Sequence, residues 1–103
     1  MRSFPEASFS CIDRDSNIIS ILSASEHSFI RELVSTYPIW IGLQKNAQGS
    51  YEWIDGSPVD YTSFGPQFQF REKCVYQSEG VWTDANCLVS RNRYICKRPR
   101  SIF

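Results

Sequence analysis

Trp40-Ile41-Gly42-Leu43 is the stretch that decides the fold, because it stands inside a particular spacing of four cysteines. Cys11 and Cys96 lie near the two ends of the chain, and Cys74 and Cys87 form a close pair in its second half. The 103 residues predict one domain, residues 1–103, with a modest core that cross-links would help to stabilise. The spacing therefore indicates a small extracellular domain held by two disulfides.

The charge of the chain is balanced, because eleven Lys and Arg residues face eleven Asp and Glu residues. This balance argues against electrostatic capture of nucleic acid or of an anionic membrane as the main activity. A basic cluster near the C-terminus is expected to be solvated: Arg91, Arg93, Lys97, Arg98 and Arg100.

The sequence contains no apolar run that could cross a bilayer and no N-terminal signal segment. Because the cysteines look oxidised, we expect a piece of a longer secreted precursor or an incomplete start.

The cysteines are better explained by disulfides than by zinc or catalysis. Zinc would need short Cys-x-x-Cys or histidine-containing pairs, and a catalytic cysteine would need a histidine partner. His27 is the only histidine, and we expect it to be exposed in the first turn of a helix. No phosphate-binding glycine loop is present, so we do not expect an enzyme. In the chain-entropy model a Cys74–Cys87 bond contributes about 3 kcal/mol and a Cys11–Cys96 bond about 4–5 kcal/mol, but three pairings stay open.

Two helices, several short strands and three buried tryptophans are predicted, which favours an α+β fold. Capping boxes at Ser3-Phe4-Pro5-Glu6 and Ser23-Ala24-Ser25-Glu26 begin the helices. The first should run to about residue 13, and the second should end near Tyr37-Pro38. Its apolar face is predicted to comprise Phe29, Ile30, Leu33 and Val34. Strands are predicted at residues 18–21, 39–43, 51–53, 74–76, 81–82 and 94–96, and the core tryptophans are Trp40, Trp53 and Trp82.

Ordered motifs over about residues 4–97 resemble the C-type lectin-like domain. They are Phe4-Pro5-Glu6-Ala7 with Cys11, Ser20-Ile21-Leu22-Ser23, Trp40-Ile41-Gly42-Leu43, Tyr51-Glu52-Trp53 with Asp55-Gly56-Ser57-Pro58, Cys74-Val75, Trp82-Thr83-Asp84 with Cys87, and Tyr94-Ile95-Cys96-Lys97. The resemblance implies the disulfides Cys11–Cys96 and Cys74–Cys87. It also implies two helices flanking small antiparallel sheets, with ligand-binding loops at one end.

One departure from that family concerns the start of the chain. Family members usually have an N-terminal strand that pairs with the C-terminal strand, and nothing before Arg2 can serve as one. We therefore expect the strand of residues 94–97 to have an unpaired edge, in a marginally stable or fragmentary domain.

A second departure concerns calcium, which sugar-binding family members hold between a long loop and a neighbouring strand. Calcium needs about six to eight oxygen ligands, several of them carboxylates. Here the corresponding proline triplet is Gly65-Pro66-Gln67, in which the first position has no side-chain oxygen, and the loop of residues 62–73 is shortened. The matched ligand positions are Gln67, Glu72, Thr83 and Asp84. We expect a degraded calcium site, in which Asp84 caps a turn beside Trp82 unless calcium is bound.

The long loop also contains three phenylalanines. Phe64 matches a family tryptophan and is expected in the core, whereas Phe68 and Phe70 alternate with glutamines as in a strand. Two interpretations follow for this pair: burial against the domain, or an exposed patch for a partner protein.

The resemblance thus implies a non-catalytic ligand-recognition domain that is secreted or part of an ectodomain. Carbohydrate binding is expected, and the alternative is calcium-independent protein recognition through the loop aromatics. The partner is a glycan or an extracellular protein, and no cofactor is expected unless calcium binds. The candidate ligand-binding residues are Gln67, Phe68, Phe70, Glu72, Thr83 and Asp84.

Overall fold

A computed structural model describes residues 1–98, so Arg100 of the basic cluster lies outside the described residues. The elements in chain order are α1 (Phe4–Ile12), β1 (Asn17–Ile18), α2 (Ala24–Val34), β2 (Ile39–Ile41), β3 (Leu43–Lys45), β4 (Tyr51–Trp53), β5 (Cys74–Ser78), β6 (Val81–Ala85), β7 (Arg93–Tyr94) and β8 (Cys96–Lys97). Neither helix in this part of the chain is long and apolar enough to span a membrane. The α+β class is confirmed.

Helix α1 begins where the capping pattern predicts. The backbone N–H and the hydroxyl of Ser3 both donate to the Glu6 carboxylate at 3.0 Å, which stabilises the first turn. The helix buries Phe4, Ala7 and Cys11 and ends at Ile12. One face of this short helix is therefore anchored to the core both by packing and by a cysteine.

Helix α2 begins as predicted but buries a different face. The Ser23 hydroxyl accepts the Glu26 N–H at 3.1 Å, and the helix ends at Val34, before the predicted stop. His27 and Ile30 are buried, whereas Phe29 and Leu33 are 62% and 60% exposed. The prediction that Phe29 and Leu33 belong to the apolar face was wrong, because the helix packs through positions i, i+3 and i+7 from His27.

The strands form three small sheets. The order in the largest is β6-β5-β2-β7, and the two others pair β1 with β8 and β3 with β4. The resemblance implies small antiparallel sheets, and neighbouring strands run antiparallel at every pair except β2 and β7, which are parallel. A parallel pair is possible here because residues 42–92 separate the two strands, which lets the chain return to the sheet edge in the direction of β2.

Three predicted strands are shorter or interrupted. The strand predicted at 18–21 is only β1, the one at 39–43 breaks at Gly42, and the one at 94–96 breaks at Ile95. At Gly42 a Cβ atom would lie 2.6 Å from the carbonyl oxygen of Ile18, and the Gly42 N–H donates to Ile19 at 2.8 Å. Glycine is therefore required in the central motif, because another backbone segment crosses directly over it.

Both the N-terminal residues and the C-terminal strand β8 pair with another segment of the chain. Arg2 and Asn92 exchange two backbone hydrogen bonds of 3.1 and 2.9 Å, and β8 pairs with β1. Because β1-β8 is a two-stranded sheet and β7 is the last strand of the largest sheet, each of these strands keeps one edge without a strand partner among residues 1–98, as expected for residues 94–97. The associated hypothesis of marginal stability stays a prediction.

The core consists of two clusters, and both implied disulfides are present. The disulfide-side core contains Phe4, Ala7, Cys11, Ile18, Trp40, Cys74 and Ala85, with Cys87 and Cys96 packed against it. The loop-side core contains Ile19, Ile21, Ile30, Ile39, Ile41, Leu43, Trp53, Phe68, Val75 and Trp82. All three tryptophans are buried, which confirms their predicted core role.

Candidate functional site

The long loop, residues 62–73, is attached to β6 at its beginning. The Trp82 N–H donates to the Ser63 carbonyl at 2.8 Å, and the Gly65 N–H donates back to Trp82 at 2.9 Å. The Ser63 hydroxyl adds a bond of 2.7 Å to the Gly80 carbonyl. This half of the loop therefore continues the main-chain pairing of the largest sheet.

The end of the loop is held by the side chain of Asp84, which projects from β6. One carboxylate oxygen accepts the Gln69 N–H at 2.9 Å, and the other accepts the N–H groups of Arg71 at 3.0 Å and Glu72 at 2.8 Å. We call this arrangement the Asp84 cap. Partial burial raises the pKa of Asp84, but the three N–H donors outweigh it and hold the pKa below its ordinary value.

The other matched ligand positions are distributed around this cap. Gln67 is exposed, Glu72 is half-buried, and Thr83 precedes Asp84 on β6, so the two β6 side chains point to opposite faces. Within residues 1–98, no three side chains of the His, Cys, Asp and Glu types are grouped to hold a metal ion. The structure thus brings Asp84 to the backbone of Glu72, and Thr83 faces away from Asp84.

Gly65 occupies a confined position in the loop. A Cβ atom there would lie 2.9 Å from Val81 Cβ, so a larger residue would require β6 or the loop to move. The packing against β6 therefore explains why the first position of the proline triplet has no side chain that could act as a ligand.

The three loop phenylalanines occupy different environments. Phe68 is buried in the loop-side core, whereas Phe64 and Phe70 are 37% and 54% exposed. The prediction of a core role for Phe64 was wrong: its ring lies on the outside, with its centroid 4.4 Å from that of Phe68 and 5.2 Å from that of Phe70. Strand-like alternation fails here because Phe70 has a left-handed backbone, with φ of 58°.

Tyr51 connects β4 to the end of the loop. Its hydroxyl donates to the Glu72 carbonyl, and its ring contacts Phe68 edge-on at 5.2 Å. Burial, followed by the negative charges of Asp84 and Glu72, raises the pKa of Tyr51 to about 12. The hydroxyl therefore stays protonated and remains a donor at physiological pH.

His27 is buried beneath the start of the loop, so the expectation that it is exposed was wrong. Its Nδ1 lies 2.7 Å from the Tyr61 hydroxyl and its Nε2 lies 3.2 Å from Gln77 Oε1. Because the amide oxygen can only accept, Nε2 carries the proton and Tyr61 donates to Nδ1. Burial and the charge of Arg31 lower the pKa of His27, against the opposing effect of the Gln77 bond. The spacing of His27, Ile30 and Val34 could have revealed this buried face.

A second polar region lies away from the loop, around an open cavity of about 570 Å³. There Lys97 Nζ donates to the carbonyl and hydroxyl oxygens of Ser20 and to Glu26, at 3.0–3.1 Å. The Ser20 hydroxyl donates to Asp55 at 2.7 Å. These polar groups form hydrogen bonds with one another and are therefore already engaged. The long loop is thus the better candidate site.

Comparison with known proteins identifies a family and solved structures that share this fold. The family model described as "Lectin C-type domain" matches residues 1–98. The mouse low affinity immunoglobulin epsilon Fc receptor (Mus musculus) is 33% identical over 90% of this chain, which spans only 30% of that receptor. The structure of the cow C-type carbohydrate-recognition domain of CD23, in the presence of a GlcNAc2Man3 oligosaccharide, has a TM-score of 0.85, 26% identity, and coverage of 98% of this chain and 83% of that one. The structure of a calcium-independent type II antifreeze protein has a TM-score of 0.81 at 26% identity, with coverage of 92% and 77%.

Proposed function

The chain belongs to the C-type lectin domain family, whose domains are non-catalytic recognition modules, and from this premise we propose that its long loop binds a ligand without calcium. We place the domain in an extracellular or cell-surface protein, since two disulfides persist in oxidising surroundings. The proposed contact region consists of Gln67, Phe70 and Glu72, with Phe68 and Asp84 supporting the loop from below, and Thr83, on the opposite face of β6, is left out of it.

The Asp84 cap is the observation that carries this proposal. Calcium needs several carboxylate oxygens, and both oxygens of Asp84 already accept backbone hydrogen bonds. Gly65 contributes no side-chain ligand, and only Glu72 adds a carboxylate. These residues do not fit a calcium ion, and the cap supplies the loop order that a metal would otherwise provide.

A glycan is the ligand class that family membership favours. The cow CD23 domain, solved with an oligosaccharide, supports this expectation by its similarity in fold. Gln67, Gln69 and Arg71 are exposed beside Phe70 and offer amide and guanidinium groups to sugar hydroxyls. A protein ligand is the second candidate, and the exposure of Phe70 favours it.

Two measurements test calcium independence and glycan binding together. The melting temperature of the oxidised domain should be the same in millimolar calcium and in excess chelator, because a ligand of the folded state would raise it. If the ligand is a glycan, its binding on an array should be unaffected by chelator and should weaken in Gln67→Ala. Gln48→Ala, an exposed glutamine outside the loop, is the matched control. A clear calcium-dependent rise in melting temperature would contradict the proposal.

A further inference from the structure

Phe70 combines two features that are unfavourable in a folded domain. Its backbone has φ of 58°, a conformation that bulky residues rarely adopt, and its side chain is 54% exposed. One side of the ring packs on Phe68 and Tyr51, with centroid distances of 4.7 and 6.1 Å, and this packing leaves about half of the residue uncovered. A strained backbone that presents an aromatic ring to solvent points to a role in recognition.

The strained conformation is held from several sides. The Asp84 cap binds the N–H groups of Gln69 and Arg71, which flank Phe70 in the chain. Lys45 Nζ donates to the carbonyl oxygen of Phe70 at 3.1 Å. The backbone of Phe70 is therefore fixed before any partner arrives, which lowers the conformational entropy that binding must cost.

Phe70 is part of a larger apolar area, which we call the loop surface and define as Phe64, Phe70 and Val81. The rings of Phe64 and Phe70 lie 5.2 Å apart between centroids, and Val81 packs against Gly65, next to Phe64. The exposed fractions of the three side chains are 37%, 54% and 38%. Aromatic residues held rigidly in such a surface are the residues that dominate binding energy at protein interfaces.

Basic side chains lie at the exit of the loop, on one side of the loop surface. Lys45, Arg71 and Lys73 lie along the exit of the loop, and the nearby acids are the half-buried Glu72 and the capping Asp84. The ion pairs within residues 1–98 are Arg91–Glu6 and Lys97–Glu26, so these three cations have no acidic partner in the described part of the chain. A partner with carboxylates around an apolar centre would complement this charge.

We propose that the loop surface docks a protein partner that inserts an apolar side chain against Phe70 and surrounds it with carboxylates. The inference rests on the calcium-independent loop proposed above and selects a protein as its ligand. The polar groups that a glycan would need are partly engaged, since Asp84 is used by the cap and the Gln69 oxygen accepts from Arg71 at 3.2 Å. The apolar side chains of the loop surface, by contrast, remain uncovered.

Selection of a random-peptide phage library on the oxidised domain tests this inference. Enriched peptides should combine an aromatic or aliphatic residue with Asp or Glu, and their Kd should rise by at least about tenfold in Phe70→Asn. Asparagine tolerates the left-handed backbone, so this variant should keep the fold and the melting temperature. Charge reversal by Arg71→Glu should weaken binding severalfold, mainly at low salt. Phe29→Asn, which alters a similarly exposed ring on α2, should bind like the wild type.

The outcomes separate this inference from the proposed function. Failure to enrich peptides, absence of acidic residues among them, or equal binding by Phe70→Asn would overturn the protein partner. If an array glycan instead binds and is lost in Phe70→Asn, the protein partner is overturned and the calcium-independent loop stands. A calcium-dependent melting temperature together with binding that ignores Phe70 would overturn both.

Discussion

The two halves of the core are stabilised by different means. The disulfide-side core collects all four cysteines, and its buried Trp40 donates to the Arg2 carbonyl at 2.8 Å. The loop-side core contains no cysteine and packs against the buried polar side chains of His27 and Gln77. Within residues 1–98, four buried donors have no hydrogen-bond partner: Trp53 Nε1, Trp82 Nε1 and Gln77 Nε2 on the loop side, and Asn92 Nδ2 beside Arg2. The disulfides thus cross-link one half of the core. The half that supports the loop has no disulfide and contains buried polar groups, only some of which are hydrogen-bonded.

This difference suggests a division between stability and recognition. Buried donors without partners cost free energy, and so does a left-handed phenylalanine. Three of the four unpartnered donors in residues 1–98 lie on the loop side, as does the left-handed Phe70, and there a binding surface has to keep exposed apolar groups and a fixed backbone. The disulfide-side core can offset them, because its cross-links act on the whole chain through the unfolded state.

The largest effect should follow removal of the end-to-end disulfide. The double variant Cys11→Ser/Cys96→Ser frees a segment with a sequence separation of 85 and should lose about 4–5 kcal/mol of unfolding free energy. Urea unfolding of the purified variants measures it. Cys74→Ser/Cys87→Ser, with a separation of 13, should lose about 3 kcal/mol. Equal losses in the two double variants would show that loop length does not govern the stabilisation.

Removal of the Asp84 charge should have the next largest effect. Asp84→Asn retains the shape but places an NH2 group among three N–H donors, and we expect a loss of about 2 kcal/mol, moderated by solvent exposure. The lowered pKa means that the contribution of Asp84 is present above the unfolded-state pKa and is lost as the pH falls through the folded-state value.

Urea unfolding near neutral pH measures this loss, and hydrogen exchange of the Gln69, Arg71 and Glu72 amides locates it. Asp60→Asn, at an exposed position before the loop, is the control and should be neutral. Unchanged protection of the three amides in Asp84→Asn would show that the cap does not order the loop.

A smaller effect, dependent on pH, should come from His27. Because burial lowers its pKa in the folded state, the unfolded chain takes up the proton first, and wild-type stability should fall as the pH drops below about 6.5. His27→Gln should lose about 1–2 kcal/mol at neutral pH from the altered bonds to Tyr61 and Gln77. The deficit should shrink toward pH 5.5, as measured by unfolding at both pH values. His27 is the only histidine. A deficit that stays the same at both pH values would show that protonation of His27 is not the source of the pH dependence of stability.

The sequence predicted those features that depend on local pattern or on the family motifs. The capping boxes located the starts of both helices, and the motifs around Trp40 and the cysteines indicated the disulfides and the buried tryptophans. Helix faces were harder, since Phe29 and Leu33 look more apolar than His27 although the helix turns His27 inward. Residue type alone does not state which face meets the core.

The candidate site was predictable only in its location. The positions of Glu72 and Asp84 were matched from motifs, but the Asp84 cap consists of bonds to backbone N–H groups, which nearly every residue has. The separation of Phe68 from Phe70 depends on one left-handed backbone angle that no residue-type pattern announces. Such features arise from the path of the loop over β6 and required the structure.

The smallest effect concerns the strain at Phe70 and separates backbone from side chain. Phe70→Ala and Phe70→Gly both remove the exposed ring, but only glycine adopts a φ of 58° without a steric cost. The glycine variant should therefore be more stable than the alanine variant by about 1 kcal/mol, although glycine usually has the greater entropic cost. Urea unfolding of both variants measures the difference, and the same pair at the exposed Gln67 should favour alanine. A more stable alanine variant at position 70 would mean that the loop stores no strain there, and the exposed ring would then cost the fold nothing to maintain.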